Sequence, residues 1–106
     1  MNLLPIPEIE GAYNSFLEPH TDNRGTLIEI WNKKQIKGDS DWSTFNPVQI
    51  NFVSTSKGAI RGIHRTIKNM PQRKVVTCVA GKVLDVLVDL RPESPCLLYT
   101  SPSPRD

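Results

Sequence analysis

The chain has 106 residues, which is enough for one small domain with a modest hydrophobic core. Hydrophobic residues make up 38% and charged residues 23% of it, and a net charge of +2 is too small to indicate a nucleic-acid or membrane-surface protein. Two cysteines, Cys78 and Cys96, do not make a disulfide framework, and no apolar run approaches the roughly 18 residues of a membrane span. The N-terminus lacks a basic region followed by a long apolar one, so we expect no secretory signal and a cytoplasmic location.

The first half of the chain predicts strands joined by polar loops. Residues 1–20 carry three prolines and predict an extended arm with an edge strand in residues 11–17. Residues 22–25 (DNRG) are a turn signal, and residues 27–31 follow as a strand with β-branched and aromatic content. Residues 33–47 are polar and predict a loop.

Residues 48–53 alternate between apolar and amide side chains, which predicts a strand. Val48, Ile50 and Phe52 share one face, whereas Gln49 and Asn51 share the other. The two amides either meet solvent or, if the sheet closes into a barrel, line a polar pocket.

Further strands are predicted in the second half. Residues 59–64 form one, and residues 74–79 and 83–90 flank a glycine-containing turn and predict a β-hairpin. No stretch has helical periodicity over three turns, so the fold class is all-β, either a barrel or a sandwich. In contrast, residues 96–106 (CLLYTSPSPRD) show no pattern that continues the sheet.

The cationic segment, residues 57–74, contains one imidazole and no acidic residue. Its six cations, beside His64, suit a small anionic ligand with acid–base chemistry, because an imidazole has an ordinary pKa near 6.5. The alternative is a solvated basic surface with a structural histidine. The cations are Lys57, Arg61, Arg65, Lys68, Arg73 and Lys74.

Three motifs in order, DNRGTLIEIW, VQINFVSTSKGAIRGIH and KVVTCVAGKVLDVLVDLRPESP, resemble the dTDP-4-dehydrorhamnose 3,5-epimerase family over about residues 15–95. The resemblance implies a cupin-type jelly roll, a homodimer, and no metal or other cofactor. Metal-binding cupins use two histidines and a glutamate at close spacing, but His64 is followed by Arg65, Thr66 and Ile67.

The resemblance also implies a reaction on a nucleotide-linked 4-keto-6-deoxy sugar. His64 would remove a proton beside the ketone, and Lys74 would stabilise the enolate oxygen. The implied substrate-binding residues are Arg24, Glu29, Gln49, Asn51 and Arg61. Several of these implied site residues also have a structural interpretation. Arg24 could be a turn residue paired with an acid, and Glu29, Gln49 and Asn51 could be solvated positions. Lys74 could be an edge charge that discourages aggregation. We interpret Lys57, Lys68 and Arg73 as surface charge.

Two departures from the family pattern qualify this interpretation. Arg65 and Thr66 replace an aromatic residue and a glutamine, which favours a branch that epimerises one carbon, and Thr26 stands where an aromatic residue is common. In addition, residues 1–95 correspond to an N-terminal part of the family domain. Residues 96–106 resemble translated sequencing adapter, so we expect a non-family tail, a truncated jelly roll of five or six strands and an inactive polypeptide.

Three other functions stay open. A non-catalytic cupin that binds a sugar nucleotide predicts binding without hydrogen exchange at the sugar. A 3,4-ketoisomerase usually has a second histidine two positions after the first, where this chain has Thr66. A basic nucleic-acid-binding domain needs aromatic residues among its cations, and residues 57–74 contain none.

Overall fold

The structure, a computed structural model, describes residues 3–36, 40–67, 71–92 and 98–105. Strands dominate these residues: six strands form three two-stranded antiparallel sheets, accompanied by two short 3₁₀ helices, Lys33–Gln35 and Ser40–Thr44. The chain is therefore all-β, as predicted. Within the described ranges, no helix is long and apolar enough to cross a membrane.

The N-terminal arm folds back on itself. β1 (Leu4–Pro5) pairs with β2 (Tyr13–Asn14), and the backbone N–H of Ile9 donates to the carbonyl of Ile6 at 3.1 Å in the turn between them. Ile6 and Ile9 are the buried apolar side chains of the described residues, at 4% and 9% exposure. The predicted edge strand in residues 11–17 is thus present as β2, although it is shorter than expected.

The DNRG turn joins two strands of four residues each. β3 (Pro19–Asp22) pairs with β4 (Gly25–Ile28) in the register Asp22 to Gly25. Gly25 has a φ of +136°, a backbone conformation that residues with a Cβ rarely adopt. The predicted turn is confirmed, and the strand expected at residues 27–31 begins earlier and ends at Ile28.

The longest strand pair is one that the sequence did not predict. β5 (Gly81–Val88) pairs along its whole length with β6 (Leu98–Arg105). The expectation that residues 96–106 do not continue the sheet is therefore wrong. Pro102 and Pro104 lack backbone N–H groups, but they lie two residues apart, so both missing donors fall on the same side of β6, which an edge strand can leave unpaired.

Three other predicted strands are absent from the described residues: 48–53, 59–64 and 74–79 have no strand partner. The predicted hairpin is therefore wrong in its first strand, whereas its second strand is β5. An alternating pattern shows that a segment can fit into a sheet. A strand also needs a partner strand at the right register, and residues far away in the sequence determine whether that partner is present. The side chains of residues 48–53 are exposed, as expected for a segment that has no partner strand.

Candidate active site

Arg24 lies at the tip of the β3–β4 hairpin. Its backbone N–H donates to Asp22 Oδ1 at 2.8 Å, and its Nε donates to Asp22 Oδ2 at 3.1 Å. The side-chain hydrogen bond from Arg24, followed by the backbone one, lowers the pKa of Asp22 below 3.8. Arg24 is thus a turn residue paired with an acid, while its side chain stays 86% exposed.

Glu29 follows β4 and lines a cleft of about 330 Å³. Its Oε1 accepts a hydrogen bond from Asn32 Nδ2 at 2.6 Å. The cleft combines hydrogen-bond donors and acceptors with apolar walls, and its lining also includes Leu4, Ser15, Phe16, Leu17, Glu18, His20 and Gln35. The Ser15 hydroxyl is buried with no hydrogen-bond partner in the described structure. Sequence reasoning missed this cleft because its walls come from separate short segments.

Gln49 and Asn51 contact each other, as expected for side chains two apart on an extended backbone. Gln49 Nε2 donates to Asn51 Oδ1 at 3.3 Å. The intervening apolar row, Val48, Ile50 and Phe52, is 98%, 86% and 81% exposed. The amides therefore share one side of this segment, and the apolar side is uncovered.

Arg61 closes a loop back onto the preceding residues. Its Nε donates to Thr55 Oγ1 at 3.0 Å, and its Nη2 donates to the carbonyl of Ser54 at 3.1 Å. Inside the loop, the backbone N–H of Ala59 donates to the carbonyl of Ser56 at 3.0 Å. These bonds set the direction of the chain as it approaches His64.

His64 is exposed and lies close to the backbone of Gly62. A Cβ at position 62 would lie 3.2 Å from both the backbone nitrogen and Nδ1 of His64. Gly62 also has a φ of +105°, which a residue with a side chain rarely adopts. Glycine at this position therefore lets the imidazole fold back over the chain.

Lys74 is exposed and directly follows Arg73, whose contacts the sequence did not predict. Arg73 Nη1 donates to Thr44 Oγ1 at 3.1 Å, and its Cζ lies 5.8 Å from the ring centroid of Trp42. Arg73 is exposed, as its interpretation as surface charge expects, and these contacts are additional to that interpretation. The aromatic residues between positions 31 and 45 could have predicted such a contact, because ring faces attract cations.

Of the seven predicted site residues, one lines the cleft seen in the described part of the chain. Glu29 lines the cleft, and the Gln49–Asn51 bond is the single hydrogen bond between predicted site residues in the described ranges. Arg61 and His64 precede residues 68–70 and Lys74 follows them. Lys68 itself lies outside the described residues. Because no ladder includes residues 48–67 or 71–79, the distances among these three side chains are not set by a sheet in the described ranges.

The described residues contain no group of three histidine, cysteine, aspartate or glutamate side chains that is close enough to hold a metal ion. Asp89 is 6% exposed and is occupied by Arg91, whose Nε and Nη2 donate to its two oxygens at 2.9 Å and 2.8 Å. Asp89 therefore has a structural role as the partner of Arg91.

Comparisons with known proteins agree with the motif resemblance. The family model of dTDP-4-dehydrorhamnose 3,5-epimerase matches residues 7–101. The chain is 33% identical over 87 residues to the dTDP-4-dehydrorhamnose 3,5-epimerase of Streptomyces griseus, covering 82% of this chain and 43% of that protein. It is 38% identical over 74 residues to the Shigella flexneri protein of the same name, covering 70% of this chain and 40% of that protein.

A third relative bears a different name. The chain is 38% identical over 87 residues to the dTDP-4-dehydro-6-deoxyglucose 3-epimerase of Streptomyces bikiniensis, covering 82% of this chain and 44% of that protein. The chain thus spans less than half the length of the curated relatives described here. No solved structure matches the chain significantly.

The class that emerges is that of nucleotide-sugar epimerases, since all three relatives carry that activity in their names. The matched region includes the histidine, the lysine and both strands of the DNRG hairpin. The chain belongs to the dTDP-4-dehydrorhamnose 3,5-epimerase family.

Proposed function

We propose that this chain contributes the base and the enolate-stabilising cation for epimerisation of a dTDP-linked 4-keto-6-deoxy sugar at C3, C5 or both. The observation that carries the proposal is the family match over residues 7–101, which includes His64 and Lys74. The names of the relatives cover both outcomes, because some are called 3,5-epimerases and others 3-epimerases.

The chemistry requires only proton transfer. The ketone at C4 acidifies the hydrogens on C3 and C5, His64 removes one of them, and the electron pair moves to the ketone oxygen as an enolate. Lys74 stabilises that oxygen as a fixed positive charge, and a proton returned to the opposite face of the carbon completes the inversion. We assign substrate contacts to Arg24, Glu29, Gln49, Asn51 and Arg61.

We further propose that the chain functions within a cytoplasmic, cupin-type jelly roll that forms a homodimer. Support for the fold comes from the uncovered apolar row of residues 48–53, whose spacing suits a strand of a closed barrel. Further support comes from β5, which has an apolar face formed by Leu84, Val86 and Val88 and leaves Leu84 68% exposed. Cys78 is a free thiol, as a reducing compartment allows.

A hybrid protein tests the proposed chemistry. Residues 7–95 of this chain replace the matched segment of the Streptomyces griseus relative, and the hybrid is incubated in D₂O with the dTDP-linked 4-keto-6-deoxy sugar. We expect deuterium to enter the sugar beside the ketone, and His64→Ala to abolish this exchange, because the variant has no base at that position. Mass spectrometry and proton NMR of the recovered sugar give the rate and the carbon.

The control variant is Lys33→Ala, which removes an exposed cation that we assign no role. Binding of the sugar nucleotide without deuterium exchange would support a non-catalytic binding protein instead. The same assay on residues 1–106 alone tests the sequence-based expectation of inactivity, which exchange abolished by His64→Ala would overturn.

A further inference from the structure

Three aromatic side chains form a cluster that joins the segment after β4 to the second 3₁₀ helix and the residue that follows it. The ring centroids of Trp31 and Phe45 lie 5.1 Å apart, those of Trp42 and Phe45 5.2 Å apart, and those of Trp31 and Trp42 6.2 Å apart. The two contacts of Trp31 are edge-to-face, the geometry that aromatic quadrupoles favour. We call these residues the aromatic cluster.

The guanidinium of Arg73 lies over this cluster from a distant part of the sequence. It is 5.8 Å from the ring centroid of Trp42 and 5.9 Å from that of Phe45. It also donates to Thr44 twice, to Oγ1 at 3.1 Å and to the backbone carbonyl at 3.4 Å. One side chain therefore makes four contacts to a segment 29 residues away along the chain.

We propose that Arg73 is a positioning residue for Lys74. Adjacent Cα atoms are about 3.8 Å apart, so a fixed Arg73 backbone restricts where the Lys74 side chain can start. No strand among the described residues includes positions 71–80, and so a ladder does not hold Lys74 in place. The inference rests on the proposed role of Lys74 in stabilising the enolate.

An arginine suits this function better than a lysine does. Its planar guanidinium stacks on ring faces and still presents several N–H donors in its plane, so it can contact the aromatic cluster and Thr44 together. An ammonium group also has N–H donors, but it is compact and not planar, so it cannot stack on the rings as a guanidinium does while it donates to Thr44. The shape of the arginine side chain, as well as its charge, therefore fits the aromatic cluster at position 73.

Backbone ¹⁵N relaxation on the 106-residue chain tests the physical link, because it reports backbone mobility and does not require a protected amide. We expect Arg73→Gln to lower the order parameters from about 0.8 to below about 0.6 both at residues 42–45 and at residues 74–76, because both segments lose their common contact. Arg73→Lys should restore part of the order, and Thr44→Val should lose part of it. Arg65→Gln, which removes an exposed arginine next to His64, should leave both segments as ordered as in the parent. Unchanged order parameters at residues 74–76 in Arg73→Gln would overturn the proposal.

A turnover measurement in the hybrid separates this inference from the proposed function. We expect Arg73→Gln to lower kcat by about 10- to 100-fold with little change in KM, because a misplaced Lys74 affects the enolate more than substrate binding. Arg73→Lys should recover part of kcat. An active parent with unchanged kcat in Arg73→Gln would overturn the inference and leave the proposed function intact. An inactive parent hybrid would overturn the proposed function, and the relaxation result would still decide whether Arg73 holds the segment of Lys74.

Discussion

At the scale of single residues, two aspartates in this chain are held in the same way. Asp22 and Asp89 each accept the backbone N–H of the residue two positions on, at 2.8 Å and 3.1 Å, and each also binds the guanidinium of that residue. The shared sequence is Asp-x-Arg, at residues 22–24 and 89–91. Short aspartate side chains favour such local bonds because they reach the backbone two residues ahead.

The Asp22 carboxyl is predicted to titrate below 3.8, because the side chain and then the backbone of Arg24 bind its ionised form. The folded pKa is lower than the unfolded one, so the pair stabilises the hairpin above pH 3.8 and the effect is lost as the pH falls through the lowered folded value. Carbon-detected NMR of the carboxyl measures the midpoint. Arg24→Ala should return it toward 3.8, whereas an equal midpoint in both proteins would contradict the assigned cause.

The buried carboxylate of Asp89 predicts a stability effect. Asp89→Asn keeps the shape of the side chain but replaces one charged acceptor with an amide, so the three hydrogen bonds from Arg91 weaken. We expect the free energy of unfolding to fall by about 1–2 kcal/mol, measured by urea denaturation. Asp85→Asn, at a more exposed position within β5, is the matched control. Equal losses in the two variants would argue against a specific role for Asp89.

At the scale of elements, the β3–β4 hairpin depends on its glycine. Gly25→Ala places a Cβ on a backbone with φ of +136°, so we expect the free energy of unfolding to fall by about 1–3 kcal/mol. Urea denaturation gives the value, and loss of the slowly exchanging amides of β3 and β4 locates it. Asn23→Ala is the control in the same turn, because Asn23 does not have a positive φ. A change confined to Asn23→Ala would mean that the turn type, and not Gly25, limits the hairpin.

Sequence reasoning succeeded for elements whose partners are close in the chain. The DNRG turn places β4 next to β3 through local chemistry, so four letters were enough to predict it. The β5–β6 pair could not be found in the same way, because β6 carries Pro102 and Pro104, which lower the strand propensity of that segment. The strand expected at residues 74–79 failed for the opposite reason, since its propensity is high but no described segment pairs with it.

For the site, the sequence supplied residue types and the family but not the geometry. His64 stands out by the chemistry of its imidazole, whereas Lys74 was assigned through the family resemblance, and the match over residues 7–101 supports the family assignment. The contact between Arg73 and Trp42 was not predictable, because nothing in the local pattern links positions 31 residues apart. The roles assigned to the seven site residues stay predictions.

At the scale of the whole molecule, the uncovered apolar row at residues 48–53 predicts self-association. Val48, Ile50 and Phe52 are at least 81% exposed, and contiguous exposed apolar side chains drive contacts between molecules. We expect the double variant Ile50→Ser with Phe52→Ser to lower the apparent mass at micromolar concentration and to reduce the fluorescence of a bound hydrophobic dye. Light scattering after gel filtration measures the mass.

The interleaved amides provide the control for this experiment. Gln49→Ser with Asn51→Ser changes the same segment by the same number of side chains on its polar face. This second double variant should associate as the parent does. If both double variants lower the apparent mass equally, the association does not depend on the apolar row.

The contact between Arg91 and the N-terminal arm sets an order on folding during synthesis. Arg91 Nη2 donates to the backbone carbonyl of Glu10 at 2.8 Å, across a separation of 81 residues. While a ribosome is still making the middle of the chain, the arm can pair β1 with β2 but cannot yet form its hydrogen bond with Arg91. Attachment of the arm must therefore wait until position 91 has left the exit tunnel, whereas the β3–β4 hairpin can form long before that.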